Sequence, residues 1–371
     1  MGRWKGLAGL LVAVAAAAHG GPAPGAEPWR PAGEPRQWAF PRDHGAHPDH
    51  ATEWWYVTGN LRDGQGRPYG YQLTVFRVGV RRRPPRPDNP WSLRDLFLGH
   101  FAVTDGARGR FRFAEQLSRA GPGLAGASTQ GLDAWVLGWR IRMEAGRIRL
   151  RARTEAMEVE LSLEPRKPVV LHGRQGVSRK GPRPGQASYY ASFTDLATRG
   201  WIRVEPGGDR IPVEGRSWFD QEFGSNQLAE DQAGWDWFGL HLSDGRDLMV
   251  YLLRKTDGSV EPASSGTLVE ADGASRHLPL GEIRVEVLDR WKSPHSGARY
   301  PSRWRLQIPS AEIDLTLAPL VADQELRTRG TAGVTYWEGA VEGEGTSRGR
   351  PVACEGYVEL TGYAGSLGGL F

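Results

Sequence analysis

Asp220 and Glu222 flank Gln221, and Trp218 precedes Asp220 by the same spacing. If this segment is extended, all three side chains leave one face, because strand side chains repeat every second residue. An aromatic wall beside a carboxyl disfavours its charged form, which lets it keep a proton and act as a general acid near neutral pH. The competing role for Asp220 is a carboxylate tied to a turn or to an inter-domain arginine. A second group, Asp43, His44, His47, Asp49 and His50, has residue types that suit a divalent metal, and His44 with His47 has a spacing found in metal sites. Gly45 and Pro48 make this stretch a loop. The expectation is therefore structural, with histidines hydrogen-bonded to backbone, Arg42 paired with Asp43, and neither metal nor cofactor held.

The run Glu53-Trp54-Trp55-Tyr56 is a third candidate. On a strand, Glu53 and Trp55 share one face while Trp54 and Tyr56 share the other. Either the inward pair packs a core and the outward pair lies at an interface, or Glu53 or Tyr56 enters a ligand space facing Asp220. Gly345-Thr346-Ser347-Arg348-Gly349 has the letters of a nucleophile elbow, but it sits between two strand-like runs, where a hairpin turn is expected. No glycine cluster joins a strand to a helix with the spacing that cradles phosphate.

The elements that would carry these residues are strands. Gly and Pro are abundant, Trp is frequent, and no sustained apolar run has helical spacing. Alternation marks strands over 69–80, 148–163, 248–253, 283–288, 304–308, 313–317 and 358–360, and one helix is expected near Ser92 to Leu98. Many short strands imply an all-β barrel or sandwich. The chain also contains an internal repeat. Glu53-Trp54-Trp55-Tyr56, Asp63-Gly64 and Arg77 recur as Trp235-Asp236-Trp237-Phe238, Asp244-Gly245 and Arg254. Each copy reads as a β-hairpin with an Asp-Gly turn. A duplicated β unit follows, with domains expected at 27–204 and 205–371, joined at the turn-rich Glu205-Pro206-Gly207-Gly208-Asp209. The Gly-, Arg- and Lys-rich stretch from Gly173 to Gly185 is expected to be a long functional or surface loop.

Arg3 and Lys5 precede an apolar run from Leu7 to Ala18 and small residues up to Ala26. The run is shorter than the roughly 20 residues a bilayer span requires, so residues 1–26 read as a secretory signal peptide. A secreted or periplasmic protein without stable membrane insertion is the expectation. Cys354 is the only cysteine, which excludes a disulfide within the chain. The formal net charge is +4, and the basic residues are dispersed apart from Arg81-Arg82-Arg83 and Arg86. Nucleic acid is not an expected partner.

Several strings together resemble AttH-like proteins, which belong with carotenoid 1,2-hydratases (hydroxyneurosporene synthases) in a lipocalin-like superfamily. They are Phe40 to Asp49 continuing through Thr52-Glu53-Trp54-Trp55-Tyr56 to Leu61, Ser178 to Gly181, Ala187 to Tyr190 with Thr194, and Ser217 to Gly224. Gly234 to Arg254, Thr335 to Val341 and Gly356 to Tyr363 complete the set. The resemblance implies two tandem lipocalin-like antiparallel β-barrels with a ligand space in or between them, a fold that also suits the alternation, since closed barrels remove open edges. It implies an apolar ligand, whether isoprenoid, polyene or lipid. It also implies a hydratase-like hydro-lyase reaction in which a carboxylic acid protonates a double bond and water captures the carbocation. Asp220 lies in the corresponding segment, with Glu222 beside it as the second catalytic candidate. Where the hydratase segment reads Tyr-x-Asp-His-Asn, this chain has Trp218-Phe219-Asp220-Gln221-Glu222, which fits the secreted AttH-like branch. The ligand-lining candidates are Glu53, Trp55, Tyr56, Tyr190, Trp218 and Trp237. The alternatives are a non-catalytic carrier or accessory protein that serves an ABC transporter permease and, third, a secreted hydrolase.

Overall fold

The structure is a computed structural model that describes residues 28–84, 86–225 and 228–368. The expected signal peptide at 1–26 lies outside the described residues. In chain order the first strands are β1 (Thr52–Asp63), β2 (Pro68–Gly79), β3 (Asp95–Asp105), β4 (Arg110–Arg119), β5 (Ala125–Ala127), β6 (Asp133–Val136) and β7 (Trp139–Glu144). They continue with β8 (Arg147–Arg153), β9 (Glu158–Pro165), β10 (Val170–Leu171), β11 (Val177–Arg179), β12 (Ala187–Arg203) and β13 (Ile211–Gly224). A second set follows: β14 (Gln232–Leu242), β15 (Asp247–Lys255), β16 (Ser265–Val269), β17 (Ser275–Pro279) and β18 (Arg284–Lys292). It ends with β19 (Arg299–Ile308), β20 (Ile313–Pro319), β21 (Glu325–Arg327), β22 (Thr335–Ser347) and β23 (Arg350–Leu360).

β1 to β13 form one antiparallel sheet ordered β4-β3-β2-β1-β13-β12-β9-β8-β7-β6-β5, with β10 and β11 added to β12. β14 to β23 form another, ordered β17-β16-β15-β14-β23-β22-β20-β19-β18, with β21 on β22. The two end strands of each sheet are consecutive in the chain, so each sheet curls into a near-closed barrel. Closure of this kind leaves few edges unpaired. The repeated hairpins are β1–β2 and β14–β15. In the first, Asp63 Oδ1 accepts from the Gln65 and Arg67 amides at 2.9 and 3.0 Å, and Gly66 takes a left-handed φ of +77°. In the second, Asp244 Oδ1 accepts from the Arg246 amide at 3.1 Å and Gly245 has φ of +87°. Both are aspartate-bonded turns that need a residue free to adopt positive φ.

Three sequence expectations change here. No α-helix occurs among the described residues, and the segment expected to be helical enters β3 at Asp95. Phe97 and Leu98 are both buried, so β3 is covered on both faces and its apolar residues run consecutively instead of alternating. The run 148–163 is two strands, because Thr154 Oγ1 accepts from the Ala156 and Met157 amides and turns the chain between β8 and β9. The stretch 205–209 is the hairpin loop between β12 and β13. β13 pairs with both β1 and β12, so the chain crosses to the second sheet between Gly224 and Gln232.

Each barrel is filled by its own inward side chains. Trp55, Tyr71, Phe101, Trp139, Leu161 and Phe219 are among those in the first, and Phe238, Leu240, Trp304, Leu306, Leu315 and Trp337 are among those in the second. A third buried cluster, containing Tyr56, Tyr190, Trp218, Trp237, Tyr251 and Tyr357, lies between the barrels. Buried polar ties also cross this interface. Lys167 Nζ donates to Asp247 Oδ2 at 2.7 Å and Arg216 Nη2 donates to Asp247 Oδ1 at 3.2 Å. His100 Nδ1 lies 2.8 Å from the Tyr336 hydroxyl, and Thr104 Oγ1 donates to Gln324 Oε1 at 2.7 Å. Burial pushes the Asp247 carboxyl up, but the His241 and Lys167 partners outweigh it and hold the group below its ordinary range. Asp247→Ala strands the Lys167 ammonium in the interface and is expected to cost about 3–5 kcal/mol. Urea unfolding checks this, and a midpoint equal to the wild type would mean that the pair does not hold the barrels together.

Candidate functional site

β13 lies between β1 and β12, so its outward face looks onto the second barrel. Phe219 packs in the first lumen, while Trp218 points the other way into the inter-barrel cluster. Trp218, Asp220 and Glu222 therefore share the interface face, as their spacing predicts. Asp220 is 4% exposed. Its Oδ1 accepts from Trp218 Nε1 at 2.6 Å and from the Ser192 hydroxyl, and its Oδ2 accepts from the Tyr190 hydroxyl at 2.7 Å. Trp237 Nε1, from the second barrel, donates to that same Tyr190 oxygen at 3.0 Å. Burial pushes the Asp220 carboxyl up to about 7, with the nearby Glu222 charge adding to the rise and the three donors opposing it. A protonated carboxyl and a carboxylate are thus both available near neutrality.

Glu222 sits on the same face in a different setting. Lys180 Nζ approaches its Oε1 at 2.8 Å, and the Ser188 hydroxyl donates to the same oxygen. Lys180 lies 4.3 Å from the centre of the Tyr251 ring. Burial disfavours its charge, but the Glu222 carboxylate prevails and holds the ammonium above its ordinary value. The segment from Gly173 to Gly185, expected as a loop, contains β11 and carries a buried cation into the site, and Gln232 Nε2 donates to the Lys180 carbonyl at 2.6 Å.

The second barrel supplies the facing wall. Glu338 on β22 and Glu359 on β23 are direct register partners. Trp235 Nε1 donates to Glu359 Oε2 at 2.7 Å. Burial pushes Glu359 up to about 7; the Trp235 hydrogen bond opposes this, and the charges of Glu222 and Asp220 add to it. Burial and the neighbouring Glu359 hold Glu338 well above the ordinary carboxyl value. The Tyr56 hydroxyl interacts with Glu338, yet that hydroxyl and Glu338 Oε1 are buried without a well-formed hydrogen bond. Aromatic rings pack edge-on between the two walls. The Trp237 ring meets Trp218 at 6.0 Å and 82°, and Tyr56 at 5.4 Å and 83°.

The repeat explains how the two walls relate. Glu53 pairs with Arg77 at 3.4 Å, and Asp236 pairs with Arg254 at 2.8 Å, so these acids occupy equivalent positions. From there Trp54 corresponds to Trp237, because both face the interface, and Trp55 corresponds to Phe238, because both fill a lumen. Trp54 is paired with Glu222, and Trp237 with Glu359. Glu222 and Glu359 are thus equivalents contributed by the two barrels.

Of the residues singled out from sequence, Asp220, Glu222, Tyr56, Tyr190, Trp218 and Trp237 come together. Glu53 and Trp55 do not. Alternation turns both to the lumen side of β1, where Trp55 Nε1 donates to the His44 carbonyl at 3.0 Å. Glu53 accepts from the His47 amide at 2.7 Å and meets His47 Nδ1, Arg77 and Gln221. The 43–50 stretch packs across this end of the first barrel. Asp43 accepts from the Ala39 amide and from Arg42, and Asp49 pairs with Arg82. The His47 ring stacks on Phe223 at 3.6 Å, and His44 lies against Phe40 and Phe193. Among the described residues no group of three or more His, Cys, Asp or Glu is set to hold a metal ion. Ser347 ends β22, just before the hairpin turn to β23, and bonds Asp244 and Arg246.

Sequence reasoning passed over Lys180, Ser192, Glu338 and Glu359 as functional groups, and missed His172 altogether. An acid alternating with aromatic residues, as in Tyr336-Trp337-Glu338, was the available signal for the second wall. His172 follows the short β10 with no pattern around it. Its Nε2 lies 2.7 Å from Ser192 Oγ and its Nδ1 lies 2.9 Å from Thr267 Oγ1.

Asp220 makes stability depend on pH. Its folded value near 7 lies above its ordinary value of 3.8, so between these limits the folded state holds a proton that the unfolded chain has released. Its contribution to stability is full below that window and is lost as pH rises through it. His172, pushed down by burial to about 3, acts in the opposite sense, so wild type must be compared with a variant. From pH 4 to pH 8 the stability difference is expected to move in favour of Asp220→Asn by on the order of 2–4 kcal/mol. Urea midpoints at the two pH values measure it, and a constant difference would place the Asp220 value in the ordinary carboxyl range.

Residues 31–363 match the model of the AttH-like family. An AttH-type protein of Nitrosomonas europaea is 35% identical, covers 90% of this chain and 99% of its own, and superposes with a TM-score of 0.79. Kievitone hydratase from Nectria haematococca is 16% identical, covers 91% of this chain and 97% of its own, and gives a TM-score of 0.66. CghA is 13% identical with a TM-score of 0.53, covering 89% of this chain and 98% of its own. These last two show the shared fold. No curated protein sequence matches the chain. The chain belongs to the AttH-like family, and its two docked lipocalin-like barrels are the architecture of that family.

Proposed function

We propose that this protein is exported, binds an apolar, unsaturated molecule between its two barrels, and acts on it by acid catalysis through Asp220. The observation that carries this reading is a carboxyl pushed up to about 7 inside a wall of aromatic rings. A carboxyl so tuned can deliver its proton at neutral pH. Protonation of a double bond leaves a carbocation, and the faces of Trp218, Trp237 and Tyr56 lower its energy as they would that of any cation over a ring. Water captures the cation, with its oxygen forming the new bond to carbon. Glu359, also near neutrality and on the facing wall, is the group placed to take the proton that water releases. Exchange with solvent returns Asp220 and Glu359 to their starting states. Kievitone hydratase is by its name a hydratase, and it shares the fold with this chain at 16% identity. Export is supported by the basic residues and the short apolar run at the amino terminus.

A carrier is the second reading, and one observation favours it. Asp220 accepts from three donors, which would suit a purely structural carboxylate. The two readings separate on extraction of the apolar molecules that co-purify with the protein from its native host. Under acid catalysis, Asp220→Asn retains the unsaturated precursor and wild type holds the hydrated or cyclised product, with conversion slowed about 10²–10⁴-fold. Mass spectrometry of both extracts decides it. The same unmodified molecule in wild type and variant would make the protein a carrier.

A further inference from the structure

The acid has a support that reaches into the other barrel. Thr267 on β16, His172 after β10, Ser192 on β12 and Asp220 on β13 form one chain of buried hydrogen bonds. The backbone fixes its middle member, since the His172 amide donates to the Tyr190 carbonyl at 3.0 Å. The His172 and Tyr190 rings lie 4.2 Å apart.

The direction of each bond follows from what each atom can do. A buried neutral imidazole has one nitrogen that donates and one that accepts. Ser192 gives its hydroxyl hydrogen to Asp220 Oδ1, so its oxygen must receive from His172 Nε2. His172 Nδ1 is then bare and receives from the Thr267 hydroxyl, which belongs to the second barrel. Asp220 Oδ1 thus faces two donors, Ser192 and Trp218, and a proton placed on that oxygen would meet both of them head on. Oδ2 faces one donor, Tyr190, whose oxygen is itself engaged by Trp237.

We propose that His172 is a positioning residue for Asp220: acting through Ser192, it keeps Oδ1 saturated with donors and so confines the transferable proton to Oδ2, beside Tyr190 and Trp237. The proposal rests on the acid role assigned to Asp220 above. It also ties the acid to docking of the barrels, because the bare Nδ1 of His172 finds its donor in Thr267 across the interface. Burial keeps His172 uncharged, with Lys180 and His277 adding to the effect. The other ionisable groups facing Asp220 are Glu222 on its own strand, Tyr190 on β12, Tyr56 on β1, Lys180 in the loop after β11, and Glu359 on β23. None of these is altered by the variants below.

The test is the titration of Asp220 in the full chain, read by carbon NMR of labelled aspartate carboxyls with Asp220→Asn to assign the signal. It needs no ligand. Ser192→Ala is expected to raise the Asp220 midpoint by about one pH unit, since it removes a hydrogen bond to the ionised form. His172→Phe is expected to raise it by roughly half a unit or more by leaving Ser192 without its donor. His172→Gln, which can offer an amide N–H near the place of Nε2, is expected to restore the midpoint to within about 0.3 unit of wild type. A merely structural histidine would lower stability and leave the midpoint where it was. Should His172→Phe fail to fold, Thr267→Val tests the same chain from the second barrel and is expected to shift the midpoint in the same direction. An unmoved midpoint in folded His172→Phe or Thr267→Val, or a His172→Gln shift equal to that of His172→Phe, would overturn the proposal. Failure of the acid reading is separately visible, because Asp220→Asn would then leave the extracted molecule unchanged while the midpoint still answered to His172.

Discussion

Carboxyl groups buried between two barrels are the constraint on which this structure turns. Asp220 and Glu222 come from one barrel and Glu338 from the other, all three buried, and the half-buried Glu359 lies beside Glu338. Charge is costly there, and like charges raise the cost further. The protein meets the constraint unevenly. Lys180 balances Glu222, three neutral donors hold Asp220, an indole N–H meets Glu359, and Glu338 is left with tyrosine hydroxyls and an oxygen that completes no hydrogen bond. Asp220 and Glu359 are left near 7 and Glu338 well above the ordinary value, and carboxyls that hold a proton near neutrality are what acid–base chemistry requires.

The fold makes this arrangement possible by filling its barrels. A lipocalin-like lumen can hold a small apolar ligand, but here Trp55, Trp139 and Phe219 occupy the first and Trp304 and Trp337 the second. The outer faces of β1, β12 and β13 and of β14, β22 and β23 then become the surfaces on which polar chemistry gathers. Docking completes the site. Trp237 reaches Tyr190 from the second barrel, and Thr267 reaches His172, so the groups that hold the acid's own donors are complete only when both barrels are in place.

The repeated hairpin contributes to both walls, with an offset that letters alone conceal. Matching the tryptophans aligns Trp55 with Trp237. Matching the buried acid–arginine pairs aligns Trp54 with Trp237, and the strand pairing agrees, because these two residues sit opposite Glu222 and Glu359. A shift of one residue exchanges the two faces of a strand. It moves Trp55 from the interface into a core.

The sequence was enough for the strand-rich class, the two repeated hairpins, and the co-facial set of Trp218, Asp220 and Glu222, because alternation and aspartate turns are local properties of the chain. The resemblance to AttH-like proteins rested on strings spread along it. Which face of β1 turns inward was not legible, and so Glu53 could not be told from Tyr56 as a partner for Asp220. The pairing of β13 with β1 and β12 was equally hidden, which is why the change of sheet comes after Gly224 and not at 205–209. Only the tertiary structure placed His172, Lys180, Glu338 and Glu359 around the acid. They lie far from Asp220 in the chain, and their proton affinities depend on burial and on charges brought near by packing, neither of which any local pattern of residues encodes.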